Sequence, residues 1–116
     1  MNWNILESEG QIGEIKSLSD SNLVLIFKHS INCNISYSML HKLENDWNEQ
    51  EMKSVKAWFL DLHAFRSVSD TVAHIFDTIH ESPQMLLILN GKVVYESSHF
   101  DINYSAVKEI IEKYRL

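Results

Sequence analysis

The chemistry open to this chain centres on one sulfur atom. Its 116 residues include a single cysteine, Cys33, inside the stretch FKHSINCNIS (Phe27–Ser36). That stretch runs from an apolar segment into a helical pattern, which puts Cys33 at a strand-to-helix junction. A helix N-terminus offers unpaired backbone N–H groups and about half a positive charge, and both favour a thiolate over a thiol. The thiolate is the attacking form in disulfide exchange, so the position makes Cys33 a candidate nucleophile. Ser36 is placed either to donate to that thiolate or to help cap the helix. Lys28 and His29 end the preceding strand, where a positive charge near the sulfur would add to the effect; alternation lets at most one of them point that way. The plainer reading is a small buried hydrophobe, the commonest state of a lone intracellular cysteine. Against it, the neighbours Ser30, Asn32, Asn34 and Ser36 are polar, and the apolar helix face begins only at Ile35.

Ser82-Pro83 holds the chain's one proline, directly before an apolar run. The position three after Cys33 is a serine, so there is no Cys-x-x-Cys pair and no internal resolving thiol. A dithiol reductase is thereby excluded. His41, His63, His74, His80 and His99 lack metal-ligand spacing with Cys33 or with one another, so no zinc site is expected. Glycines stand only at 10, 13 and 91, which leaves no phosphate-cradling loop.

The elements that must position these residues follow from periodicity. Leu23–Lys28 and Val55–Leu62 read as strands, and Gln84–Leu89 and Lys92–Glu96 flank Asn90-Gly91, the strongest short hairpin signal. Residues 34–49 carry Ile35, Met39, Leu40, Leu43 and Trp47 on one helical face. Residues 68–79 read as a helix capped by Ser67 with Asp70, burying Val72, Ile75, Phe76 and Ile79. Asn103 is placed to cap a last helix with Val107, Ile110, Ile111 and Tyr114 on one side. Near the start, Trp3–Leu6 reads as a short strand, followed by a helix bearing Ile12, Ile15 and Leu18. The order is β-α-β-α-β-α-β-β-α, an α/β arrangement with a mixed central sheet flanked by helices, and it is that of the thioredoxin-like fold. In that fold a cis proline stands before the hairpin, beside the reactive sulfur, and its backbone receives a disulfide substrate. Ser82 and Pro83 are therefore expected to bind substrate.

Composition narrows the function classes. One domain over 1–116 is expected, and 45% hydrophobic content with interspersed charge suits a globular fold. A net charge of −6 without any basic stripe argues against a nucleic-acid partner. The apolar runs are too short for a bilayer and the first residues lack a signal-peptide layout, so a cytoplasmic protein without membrane association is expected.

FKHSINCNIS together with HESPQMLLILNGKVVYESSHFDI resembles the YtxJ family, the monothiol bacilliredoxins of the bacillithiol system. The matching features are Phe27–Ser30, Cys33–Ser36, Ser82–Gln84, Asn90-Gly91 and Ser98-His99, in family order along nearly the whole chain. The resemblance implies a thioredoxin-like monothiol oxidoreductase with no bound cofactor and a low-molecular-weight thiol such as bacillithiol as co-substrate. Its partners would be S-thiolated client proteins: Cys33 removes the small thiol from them and a second small thiol regenerates the enzyme. The resemblance makes Cys33 the catalytic nucleophile; their own placement adds Ser36 and His29 as candidate catalytic residues and Asn32, Asn34, Ser82 and Pro83 as candidate substrate-binding ones. The family's proline after the nucleophile is Asn34 here, and its preceding threonine is Asn32. Asn34 brings a backbone N–H and an amide that can bond a thiolate or bound thiol. The alternative is a thioredoxin-fold binding or scaffold protein whose cysteine is incidental or merely redox-sensing.

Overall fold

The computed structural model describes residues 1–116. Strands β1 (Asn4–Ile5), β2 (Leu23–His29), β3 (Val55–Asp61), β4 (Gln84–Leu89) and β5 (Lys92–Ser98) form one sheet in the order β1-β3-β2-β4-β5. Helices α1 (Gly10–Leu18), α2 (Asn34–Asp46), α3 (Arg66–Ile75) and α4 (Tyr104–Tyr114) alternate with them, and a 3₁₀ turn at His99–Asp101 leads into α4. β1 and β2 both run parallel to β3, whereas β4 is antiparallel to β2 and β5 antiparallel to β4.

β2 is the central strand, and all seven of its residues are buried. A strand covered on both faces has no polar side, which is why its sequence reads as a continuous apolar run. Leu23, Leu25 and Phe27 pack with Leu40 and Leu43 of α2 and with Val107 and Ile110 of α4. Val24 and Ile26 face the other way, onto Ile12 and Ile15 of α1 and Val68 and Val72 of α3. The same alternation sends His29 to the α2 face and Lys28 to the α3 face.

Local signals explain the turns and caps. Asn90 (φ 52°) and Gly91 (φ 75°) both adopt the left-handed conformation that a two-residue hairpin needs. Ser19 holds that turn: its carbonyl accepts from Asn90 N–H at 2.8 Å and its hydroxyl from Gly91 N–H at 2.9 Å. Asn103 Oδ1 accepts from Ala106 N–H at 2.8 Å, as expected of an α4 cap. Asn103→Ala should therefore cost about 1 kcal/mol of stability, checked by urea unfolding.

Three expectations are corrected. The third helix starts at Arg66 rather than after Ser67, with no side-chain cap, because Asp61 organises the chain just before it. The Asp61 carboxylate accepts from His63 and Ala64 N–H, and its carbonyl from Phe65 N–H. The buried stripe is then Val68, Val72 and Phe76, and the helix stops at Ile75, leaving Ile75 and Ile79 exposed. The second helix ends at Asp46 instead of running to 49 because Asn48 Oδ1 accepts from Gln50 and Glu51 N–H, a local turn that competes with the helix. The first strand shrinks to Asn4–Ile5, with Leu6 N–H still donating to the Phe59 carbonyl at 2.9 Å and the Trp3 indole donating to Glu44 at 3.0 Å.

Candidate active site

Cys33 is the N-cap residue of α2, in extended backbone (φ −125°, ψ 116°). Its carbonyl accepts from Ser36 and Tyr37 N–H at 3.1 and 3.4 Å, and its own N–H donates to Ser30 at 3.3 Å. The N–H groups of Asn34 and Ile35 have no partner within the chain, as the first turn of a helix leaves them. The thiol is free, half-buried and without a hydrogen bond inside the chain. Asn32 and Asn34, on either side, are exposed. Cys33 lines none of the molecule's cavities.

Ser36 and His29 come together, but with each other rather than with the sulfur. Ser36 is fully buried, and its hydroxyl lies 2.6 Å from His29 Nδ1 while accepting from Ser30 N–H at 3.0 Å. The His29 ring is enclosed by Tyr37, edge-on at 4.5 Å, and by Phe59, tilted at 5.4 Å. Burial pushes the imidazole below its ordinary pKa; Asp61 opposes this, while His41 and His63 add to it. His29 is therefore the neutral ring near pH 7, hydrogen-bonded through Nδ1 to the Ser36 hydroxyl. Neither role open to Ser36, a bond to the thiolate or a cap of α2, is made in the structure, because its hydroxyl is taken up by His29 and the Ser30 N–H. Both residues brace the β2–α2 corner that presents Cys33.

A signal for this existed in the sequence. Ser36, Leu40 and Leu43 are spaced as one helical face, and the only polar member of a buried face needs a buried partner. Ser36→Ala would strand the Ser30 N–H and His29 Nδ1, a loss of about 2 kcal/mol measurable by urea unfolding. The histidine also sets a pH dependence. With its folded pKa lowered, the unfolded chain binds more protons, so stability rises with pH. On acidification, stability should fall from near the ordinary imidazole value of 6.5 down to the folded value. A shallower slope in His29→Asn would confirm the assignment.

Further members of the site carry no spacing signal in the sequence. His63 Nε2 lies 2.9 Å from Ser30 Oγ, directly before the cysteine loop. Lys28, fully buried on the far face, donates to the Ser69 carbonyl at 3.2 Å and reaches His80 Nδ1 at 3.4 Å. Burial lowers its pKa to about 8 although Asp70 opposes the shift.

The Ser82–Pro83 peptide bond is cis, and Pro83 is buried. The β2–β4 register pairs Lys28 with Gln84, so one step further brings Pro83 alongside His29, at the strand end that leads to Cys33. The Pro83 carbonyl accepts from His99 N–H at 3.1 Å, which ties the start of β4 to the turn after β5. Ser82 Oγ is buried and has no partner within the chain.

This arrangement has known counterparts. Residues 4–107 match the family model described as monothiol bacilliredoxin BrxC. The chain belongs to the monothiol bacilliredoxin family. Among solved structures, this bacilliredoxin is similar to a thioredoxin-fold protein put forward as an oxidoreductase, with 28% identity, a TM-score of 0.75, and coverage of 90% of this chain and 89% of that one. Thioredoxin of Malassezia sympodialis (Mala s 13) is 13% identical with a TM-score of 0.75, covering 99% of this chain and 92% of its own. Thioredoxin of Fasciola hepatica is 15% identical with a TM-score of 0.72, covering 95% and 97%. The latter two establish the thioredoxin fold alone. Family and fold together make this bacilliredoxin a thiol redox protein. No helix in it is long and apolar enough to cross a membrane.

The departure from the family at Asn34 can be tested on the same geometry. Asn34 is the first helical residue, its N–H is unpartnered, and Cys33 before it is already in the extended backbone a following proline requires. Asn34→Pro should therefore raise stability by about 0.5–1 kcal/mol in urea unfolding, by restricting the unfolded chain.

Proposed function

We propose that this bacilliredoxin removes a low-molecular-weight thiol of the bacillithiol type from mixed disulfides on client proteins. The observation that carries the reading is the single free thiol at the α2 N-cap, with two unpartnered backbone N–H groups following it and no second cysteine within reach. The Cys33 thiolate attacks the small thiol's sulfur in the client's mixed disulfide. That S–S bond breaks, a new one forms between Cys33 and the small thiol, and the client leaves as a thiolate. A second small thiol, as its thiolate, then attacks the Cys33 adduct, restoring the cysteine thiolate and releasing the symmetric small-thiol disulfide. Over the cycle the client's sulfur leaves with the bonding pair of its mixed disulfide and the second small thiolate supplies the pair of the new symmetric disulfide, so no bound redox cofactor is required.

Supporting groups follow from the geometry. The N–H groups of Asn34 and Ile35 supply positive potential at the helix start. The exposed amides of Asn32 and Asn34 offer donors and acceptors to the small thiol's polar groups, and the Ser82–Pro83 segment offers backbone to the client. The third position after Cys33 is Ser36, whose hydroxyl cannot form a disulfide, and the chain has no second cysteine, so regeneration falls to an external thiol. The test is turnover: a client carrying a bacillithiol mixed disulfide, excess bacillithiol, and catalytic amounts of this protein. Release of more client thiol than protein added supports the reading, whereas stoichiometric modification of Cys33 without turnover would make it a sensor.

A further inference from the structure

Lys28 stands out as a buried cation that this chemistry does not use. It is fully buried near the end of the central strand, where an apolar residue would continue the pattern of Val24 and Ile26. Its ammonium reaches across to two elements: the Ser69 carbonyl inside α3, and the His80 imidazole in the segment that delivers Ser82 and Pro83. Gln84, its partner across the β2–β4 ladder, is buried too, and its side chain takes hold of the same segment. The Gln84 amide donates to the Ile79 carbonyl at 3.0 Å and accepts from Glu81 N–H at 3.4 Å. From outside, the Glu81 carboxylate faces His99 at 3.6 Å, an exposed pair of little worth. The firm grip on residues 79–81 therefore comes from beneath the segment, from two adjacent strands.

Resting on the oxidoreductase reading, we infer that Lys28 is a positioning residue: through His80 it sets the placement of the Ile79–Pro83 segment against which the client's disulfide is held. Lys28 makes its contacts on the α3 face of the sheet, away from the α2 corner that carries Cys33, so it acts on binding and not on the sulfur. Burial holds the ammonium well below the ordinary lysine pKa, so the fold carries the charge at a cost to stability. The Ser69 carbonyl lies inside a helix, and His80 is part-buried beside solvent. Removing the amine thus leaves no costly orphan behind.

The test compares Lys28→Met, His80→Leu, His80→Gln and the double variant Lys28→Met/His80→Leu, using a peptide bearing a bacillithiol mixed disulfide. Lys28→Met and His80→Leu should each raise KM about tenfold with kcat, and the rate of Cys33 alkylation by iodoacetamide, within about twofold of wild type. The double variant should be no worse than either single one, because one contact is lost in all three. His80→Gln keeps an acceptor facing the ammonium and should restore most of the affinity. The melting temperature of Lys28→Met should equal or exceed that of wild type, which a merely structural lysine would not allow. Unchanged KM in the folded variants would overturn the proposal, as would additive losses or an equal fall in alkylation. Should Lys28→Met fail to fold, that too contradicts it, and the His80 pair still reports on the contact. If wild type itself releases no thiol, the reading of the site fails. Lys28 is then judged on the amide resonances of Ile79 to Ser82, which move in both single variants if the contact places the segment and stay fixed if it does not.

Discussion

Cys33→Ser should reduce the release of bacillithiol from a modified client to the uncatalysed rate, a loss on the order of a thousandfold or more. A serine hydroxyl is not ionised near neutrality and cannot form the sulfur–sulfur bond that takes the small thiol from the client. No other residue can substitute, because the chain contains no second cysteine. Chromatographic assay of the freed thiol, with circular dichroism to show the fold intact, checks the expectation. Retained turnover in the variant would place the chemistry somewhere other than the α2 N-cap. The thiol makes no hydrogen bond within the chain, so the substitution should leave stability within about 0.5 kcal/mol.

Phe27→Ala should be the most damaging single change to the fold, at about 3–5 kcal/mol. Phe27 has no exposed surface and lies in the middle of the sheet, with the Trp3 ring edge-on at 6.2 Å and the His29 ring at 6.4 Å. Its loss opens a cavity between α2, α4 and the strand that carries the site, and the neighbours are held by the sheet and relax little. At an m-value of about 1.5 kcal/mol per molar urea, the midpoint would move by roughly 2–3 M. Ile79→Ala is the matched control: that side chain is 80% exposed, and its truncation should shift the midpoint hardly at all. A comparable shift from both would mean that burial does not set the stability of this chain.

The parts of the fold legible in the sequence were those where one local signal had no rival. Leu23–Lys28 reads as a strand, observed as Leu23–His29, because burial on both faces leaves no polar alternation to misread. Asn90-Gly91 fixes the hairpin because few other pairs adopt two consecutive positive φ values without strain. Asn103 caps α4 with its own carbonyl oxygen. Where tertiary contacts override local preference, the local pattern misleads. Ser67 looks like a cap, yet the Asp61 carboxylate and carbonyl organise the chain one turn earlier and rotate the buried stripe away from Ile75 and Ile79.

The site divides along the same line. The junction that makes Cys33 an N-cap was readable, because it depends only on where the strand stops and the helix starts. The partners of Ser36, His29 and Lys28 were not, since each is satisfied by a residue that tertiary structure alone brings close. Ser36 and His29 satisfy each other beneath the helix start, and Lys28 finds Ser69 and His80 at sequence separations of 41 and 52. Histidines dismissed for lacking metal spacing, His63 and His80, turn out to be hydrogen-bonding partners of residues around the cysteine loop and the proline segment.

Mass spectrometry of a single turnover tests the central claim most directly. The protein is mixed with one equivalent of a bacillithiol-modified client in the absence of free thiol, then digested without reduction. One bacillithiol on the peptide containing Cys33, with an equal amount of client thiol set free, is the expected result. An unmodified Cys33 beside a fully modified client, or Cys33 joined to the client itself with bacillithiol expelled, would contradict the account.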